Sequence, residues 1–325
     1  MSGGWDGYGS KARRSRVLGS ATARLIGVLL GGLTSVVPPT PTTEASQPVP
    51  DPRLPPRPAS RVIHLHLIAH DKTVTIADGV HMRAWTFNGT VPAPTWHVRV
   101  GDTVQVTFTN RGTMPHSIDF HAATADWKTA FRSIPPGRSL SYTFRPRYAG
   151  AFLYHCGTLP VLLHMGSGMY GAIIVDPIQP LPRAREFVLV YSEFYVGKDG
   201  TPDYQRMLNG QADYAAFNGR AFQYRTNPLR VRPGERLRFY VVNAGPRDEC
   251  DFHVIGMQLD TVYPGSPPLG ALHGLQTYAI PPGGGAVIEV KANLPGTFPF
   301  VNHEVGHGDL GGVGLLEVRP LRSGV

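Results

Sequence analysis

From Arg61 to Ala69 apolar side chains alternate with polar ones, Ile63, Leu65, Leu67 and Ala69 against His64 and His66. A period of two is the signature of a half-buried strand. Val98–Asn110 (V-R-V-G-D-T-V-Q-V-T-F-T-N) reads as strand, Gly-Asp turn, strand. Leu140–Phe144, Ala151–Tyr154 and Gly171–Val175 continue the pattern. Helical periodicity is confined to the 155–170 loop and a polar segment near 203–216. The pattern predicts an all-β fold.

The second half of the chain repeats the first. Phe87-Asn88-Gly89 recurs as Phe217-Asn218-Gly219, and Val98-Arg99-Val100-Gly101-Asp102 as Val231-Arg232-Pro233-Gly234-Glu235. Ile134-Pro135-Pro136-Gly137 recurs as Ile280-Pro281-Pro282-Gly283, and Gly150-Ala151-Phe152 as Gly296-Thr297-Phe298. The order is kept, and the spacing differs by about fifteen residues, which a loop absorbs. Two copies of one Greek-key β-sandwich are expected, at 61–178 and 185–320. Where the first copy has His155-Cys156, the second has Asn302-His303; Phe252-His253-Val254-Ile255 stands in the place of the His116–His121 segment.

Composition supports this picture. Gly 38 and Pro 31 with only 17% charged residues suit a turn-rich β protein. Net charge is +8, but the first sixty residues carry seven Lys/Arg against three Asp/Glu, so the folded part is only mildly basic and no nucleic-acid partner is expected. Lys11, Arg13, Arg14, Arg16 and Arg24 precede a thirteen-residue apolar run, Leu25–Val37. That is short for a membrane span and suits an export signal at 1–37, of twin-arginine type or kept as an uncleaved anchor. The protein is expected in the periplasm or on the outer face of the membrane. Residues 38–60, with nine prolines between Pro38 and Pro58, read as a stiff solvated linker.

The chemistry concentrates at Tyr154-His155-Cys156, followed by His164 and Met169. Thiolate, imidazole and thioether, completed by a second imidazole, form a blue-copper set, two His and Cys in a plane with a weak axial Met. His116-Ser117-Ile118-Asp119-Phe120-His121 supplies that imidazole. Strand alternation puts His116 on one face and Asp119 with His121 on the other, and turns His155 away from Cys156. Two metal sites back to back follow: His116, Cys156, His164 and Met169 in one; His121 and His155 in the other, with His303 as the third imidazole. Three imidazoles with an open position make a catalytic metal site that suits zinc as readily as copper. The adjacent blue-copper set, one peptide away, favours copper. Asp119 and His253 are the acid–base candidates beside the open position. Cys250 reads as a free buried thiol. Of the other histidines, His307 in its Gly-rich loop is the strongest remaining candidate.

These residues resemble the copper-containing nitrite reductases, two cupredoxin domains assembled as a homotrimer, over about 61–318. The resemblance implies type 1 copper on His116, Cys156, His164 and Met169. It implies type 2 copper on His121 and His155 of one subunit and His303 of its neighbour. Asp119 and His253 would be catalytic, and Ile255 would crowd the substrate. It implies one-electron reduction of nitrite to nitric oxide, with a small cupredoxin or cytochrome c as donor. The chain departs from the family in three places. The Cys156–His164 loop is one residue shorter, Leu163 stands where a Trp commonly precedes the His, and little chain follows Val318 where the family carries a longer arm. A two-domain laccase-like multicopper oxidase would need further His-x-His pairs; only His64-Leu65-His66 is present, and Gly157 follows the copper Cys. A non-enzymatic copper-binding electron carrier would leave the second site without use.

Overall fold

The computed structural model describes residues 50–320; the expected export signal and residues 38–49 lie outside them. The first repeat folds as β1 (Val62–Ala77), β2 (Val80–Phe87), β3 (Trp96–Arg99), β4 (Thr103–Asn110), β5 (Asp119–Phe120), β6 (Ser139–Phe144), β7 (Gly150–His155) and β8 (Tyr170–Asp176). The second runs through β9 (Arg185–Phe194), β10 (Tyr214–Phe217), β11 (Leu229–Val231), β12 (Glu235–Asn243), β13 (Cys250–Val254), β14 (Leu259–Tyr263), β15 (Leu272–Leu275), β16 (Tyr278–Ile280), β17 (Gly285–Ala292), β18 (Gly296–Asn302) and β19 (Val313–Val318). The first repeat forms the sheets β2-β1-β4-β6 and β3-β8-β7-β5, the second the sheets β10-β9-β12-β17-β14-β15 and β11-β19-β18-β13-β16. Each repeat closes on its own core, Leu65, Phe108, Ile118 and Ile173 in the first, Leu189, Phe239, Phe252 and Leu316 in the second.

The repetition reaches individual hydrogen bonds. Asn88 (φ 56°) with Gly89 (φ 82°), and Asn218 (φ 57°) with Gly219 (φ 84°), take left-handed conformations that Asn and Gly tolerate best. The Asn88 side chain accepts from Ile68 N–H (2.7 Å) and donates to His66 C=O (3.0 Å). Asn218 accepts from Val190 N–H (2.7 Å) and donates to Val188 C=O (2.9 Å). A second matched pair had no motif to betray it. Asn110 accepts from Gly112 N–H and donates to Ile134 C=O, as Asn243 does with Gly245 and Ile280.

A third apolar cluster joins the repeats. Leu153, Tyr170, Ala172 and Ile174 of β7 and β8 pack against Val188, Val190, Val242 and Val287 of β9, β12 and β17. The sheet β3-β8-β7-β5 is therefore covered on both faces, which is why Gly171–Val175 is an unbroken apolar run. Gly285 passes so close to the Ala151 carbonyl that a Cβ would overlap it.

The Pro-rich stretch 38–60 is not solvated linker throughout. Leu54 N–H donates to Glu186 C=O (3.2 Å), Val188 N–H donates to Pro52 C=O (2.7 Å), and Arg53 bridges Phe187. Proline lacks the donor but keeps its carbonyl acceptor, so residues 52–54 lie along β9.

Candidate metal centres

β7 ends at His155, and alternation sends His155 and Cys156 to opposite sides of its sheet. Cys156 N–H donates to Met169 C=O (3.0 Å), and Met169 N–H donates to His164 C=O (3.3 Å). Those bonds return the 157–168 loop to the strand end, and the short helix Val161–Gly166 within it presents His164. His116 is held from the other side by its bridge to Ile134.

Three donors converge. Cys156 Sγ lies 3.3 Å from His164 Nδ1 and 4.0 Å from His116 Nδ1, and the two nitrogens are 3.1 Å apart. His116, Cys156 and His164 are each no more than 1% exposed, and Met169 is fully buried in the same core. Burial pushes both imidazoles down to about 4, with repulsion from His164 a further cause at His116. Both rings are therefore neutral at pH 7 and keep lone pairs. Burial pushes the thiol up, opposed first by the Ser117 N–H that donates to its sulfur at 3.3 Å. Donor atoms about 2.0–2.3 Å from one ion stand at about these separations, and two imidazoles with a thiolate are the donor set of blue copper. The residues fit that metal.

On the other face Asp119 pairs with His155 across β5 and β7, so both side chains share one side. The segment His116–His121 is a strand only at Asp119–Phe120, yet the alternation holds. Donor atoms of Asp119, His121 and His155 lie within 4.8 Å of one another. His121 Nδ1 is 3.0 Å from Gly283 C=O and His155 Nδ1 is 2.9 Å from Cys156 C=O. A carbonyl only accepts, so both protons sit on Nδ1. The two Nε2 atoms, the ring positions left over for a ligand, face each other at 3.0 Å. One metal ion can be held by both, so these residues also fit a metal ion. Burial, the first cause, lowers the His155 pKa.

His303, His253 and Ile255 lie elsewhere. Among the described residues they do not join the His121–His155 cluster. The His253 and His303 rings are 5.5 Å apart between centroids, and His253 Nδ1 donates to Gln276 C=O at 2.6 Å, which leaves Nε2 outside that bond. His303 and the half-exposed Ile255 border a cavity of about 430 Å³ with Val305 and Leu315.

The expected pairing of His155-Cys156 with Asn302-His303 slips by one residue. Gly150 (φ 140°) and Gly296 (φ 153°) open β7 and β18, and Cys156 and Asn302 each lie six residues on. Asn302 N–H donates to Gly312 C=O as Cys156 N–H does to Met169, and Asp251 N–H donates to the Asn302 side chain as Ser117 N–H does to the sulfur. Val301 is thus the counterpart of His155, and His253, paired with Val301, is the counterpart of Asp119. The motif set His303 against Cys156; in the structure Asn302 stands there and His303 lies one residue beyond. By the same frame His307, 3.4 Å from the Asn302 amide, stands where His164 does, and it is engaged by Tyr191, Glu304 and Asp248.

Three neighbours of the sites had no sequence signal. Ser117 holds the sulfur, Gly283 holds His121, and Trp85 lies 4.8 and 5.4 Å from the His164 and His116 rings.

Residues 69–180 and 198–321 match two family models, both described as multicopper oxidase. The chain is 38% identical over 260 residues to the copper-containing nitrite reductase of Neisseria meningitidis serogroup B, covering 76% of this chain and 66% of that protein. It spans about two thirds of the length of the Neisseria relatives. It is 31% identical to the copper-containing nitrite reductase of Alcaligenes xylosoxydans xylosoxydans, covering 76% of this chain and 83% of that one. Among solved structures, copper nitrite reductase from Nitrosomonas europaea superposes with a TM-score of 0.77 at 37% identity, over 80% of this chain and 95% of that one.

Proposed function

Because the chain belongs to the copper-containing nitrite reductase family, we propose that it reduces nitrite by one electron to nitric oxide and water, with two coppers per chain. The observation that carries the reading is the opposed Nε2 pair of His121 and His155, each imidazole locked by a carbonyl on Nδ1. One of that pair, His155, is the residue next to the thiolate of Cys156. Type 1 copper would be held by His116, Cys156, His164 and Met169; type 2 copper by His121, His155 and His303. When bound, the pair supplies an electron relay and a Lewis-acidic anchor for the anion.

The chain's residues do the rest. Cys156 and His155 give the electron a covalent route across one peptide. In their protonated forms Asp119, on the strand opposite His155, and His253, through its Nε2–H, deliver the two protons to the departing oxygen. The balance is one nitrite, one electron and two protons to one nitric oxide and one water. Ile255 restricts the room for substrate.

His303 and His253 form a half-site separate from His121, His155 and Asp119, so the complete centre would be built between subunits. Each chain offers both halves, and such a heterologous contact repeats until a ring closes; a homotrimer is proposed. The electron would come from a small cupredoxin or cytochrome c, and the enzyme would work in the cell envelope after export, in a denitrifying sequence of reactions. Copper-loaded protein with an artificial one-electron donor should form nitric oxide anaerobically from nitrite. Oxygen consumption without nitric oxide formation would replace this reading with the oxidase one.

A further inference from the structure

The turn Ile280–Gly283 repeats the turn Ile134–Gly137 of the first domain but meets a different neighbour. Gly283 (φ 78°) directs its carbonyl at His121 Nδ1, 3.0 Å away, across 162 residues of chain. The turn is firmly held. Gly283 N–H donates to Asn243 C=O (3.0 Å), and the fully buried Asn243 donates to Asp248 and Ile280 carbonyls, each at 2.9 Å. His121 itself is exposed, and beside this carbonyl its ring meets the His155 ring, Nε2 to Nε2 at 3.0 Å. A Cβ at Gly283 would lie 3.2 Å from His121 Cε1, whereas one at Gly137 (φ 75°) meets nothing within 4 Å.

We propose that Gly283 is a positioning residue for the second copper site: its carbonyl, supplied by the second domain of the same chain, sets the tautomer and ring direction of His121. The proposal rests on the reading of His121 and His155 as copper ligands. It makes that half-site depend on the register between the two domains, through one glycine whose lack of a Cβ lets the ring approach. Outer-shell partners of a ligating His act in this way, and their loss costs about ten- to a hundredfold in metal affinity.

The test compares Gly283→Asn with Gly137→Asn, since Asn accepts the left-handed conformation and adds the Cβ in both. Copper is titrated into each full-length protein against a competing chelator. The blue and non-blue signals are counted by electron paramagnetic resonance. Gly283→Asn should keep blue copper and bind the second copper about ten- to a hundredfold more weakly; Gly137→Asn should keep both. Wild-type affinity for the second copper in Gly283→Asn would overturn the proposal. So would loss of both coppers from that variant with Gly137→Asn intact, which would make the turn a support of the fold alone. A wild-type protein that takes up only blue copper would instead overturn the two-copper reading beneath it.

Discussion

Removing copper should make the fold acid-sensitive in a way that two residues account for. His116 and His164 are buried with Nδ1 atoms 3.1 Å apart, and burial pushes each from the ordinary 6.5 down to about 4. Their folded pKa values lie below the unfolded ones, so the unfolded chain binds more protons between pH 6.5 and 4 and stability falls as pH drops through that window. At pH 5 each imidazole contributes a loss of about 2 kcal/mol relative to pH 7.5, roughly 4 kcal/mol for the pair, with a slope near 2.4 kcal/mol per pH unit. Against a net stability of about 5–15 kcal/mol this is decisive. Urea unfolding of copper-free protein at fixed concentration, followed by tryptophan emission at pH 7.5 and 5, measures it. His116→Gln should remove about half of the difference and His116→Gln/His164→Gln most of it. Bound copper occupies the lone pairs and should move the loss to lower pH. An undiminished difference in the double variant would refute the reasoning.

Three further outcomes follow from the same contacts. A Cβ on Gly171 would overlap the Tyr154 ring, so Gly171→Ala should cost about 1–3 kcal/mol and shift the blue absorption, since Tyr154 leads directly into His155-Cys156; thermal melts and visible spectra check both. Asn218→Ala strands Val190 N–H, Val188 C=O and the buried Tyr224 hydroxyl and should cost about 2–4 kcal/mol, more than Asn88→Ala at its exposed counterpart; chemical denaturation orders the two. Asp119→Asn should leave both coppers bound while slowing nitric oxide formation by about a hundredfold or more, the size of a lost proton donor, as steady-state kinetics would show.

β1 was legible because one of its faces is buried, which writes alternation into Ile63, Leu65 and Leu67, and β8 because both of its faces are covered, which makes it an apolar run. The Cys156, His164 and His116 set was legible because few other reasons place those side chains in that order. What stayed hidden depends on contacts between distant stretches. Trp85 reaches His164 from β2, and Gly283 reaches His121 from the other domain. The pairing at His303 was set one residue too far on; Gly150 and Gly296, themselves landmarks of the repeat, and the backbone bonds of Cys156 and Asn302 give the register. Residues 52–54 read as linker because proline suggests solvent, although its carbonyls still pair with β9.

As proposed, two copper sites in one chain are wired through Cys156 and His155, and His303 completes the second. Fully copper-loaded protein is reduced anaerobically until its blue colour bleaches, then mixed with nitrite while colour and nitric oxide are followed together. The blue should return as nitric oxide is released, one for each electron stored and so up to two per chain, and His303→Ala, though able to turn blue, should stay bleached. A reduced wild-type protein that remains colourless in nitrite, or a His303→Ala variant that recovers at the wild-type rate, would contradict that wiring.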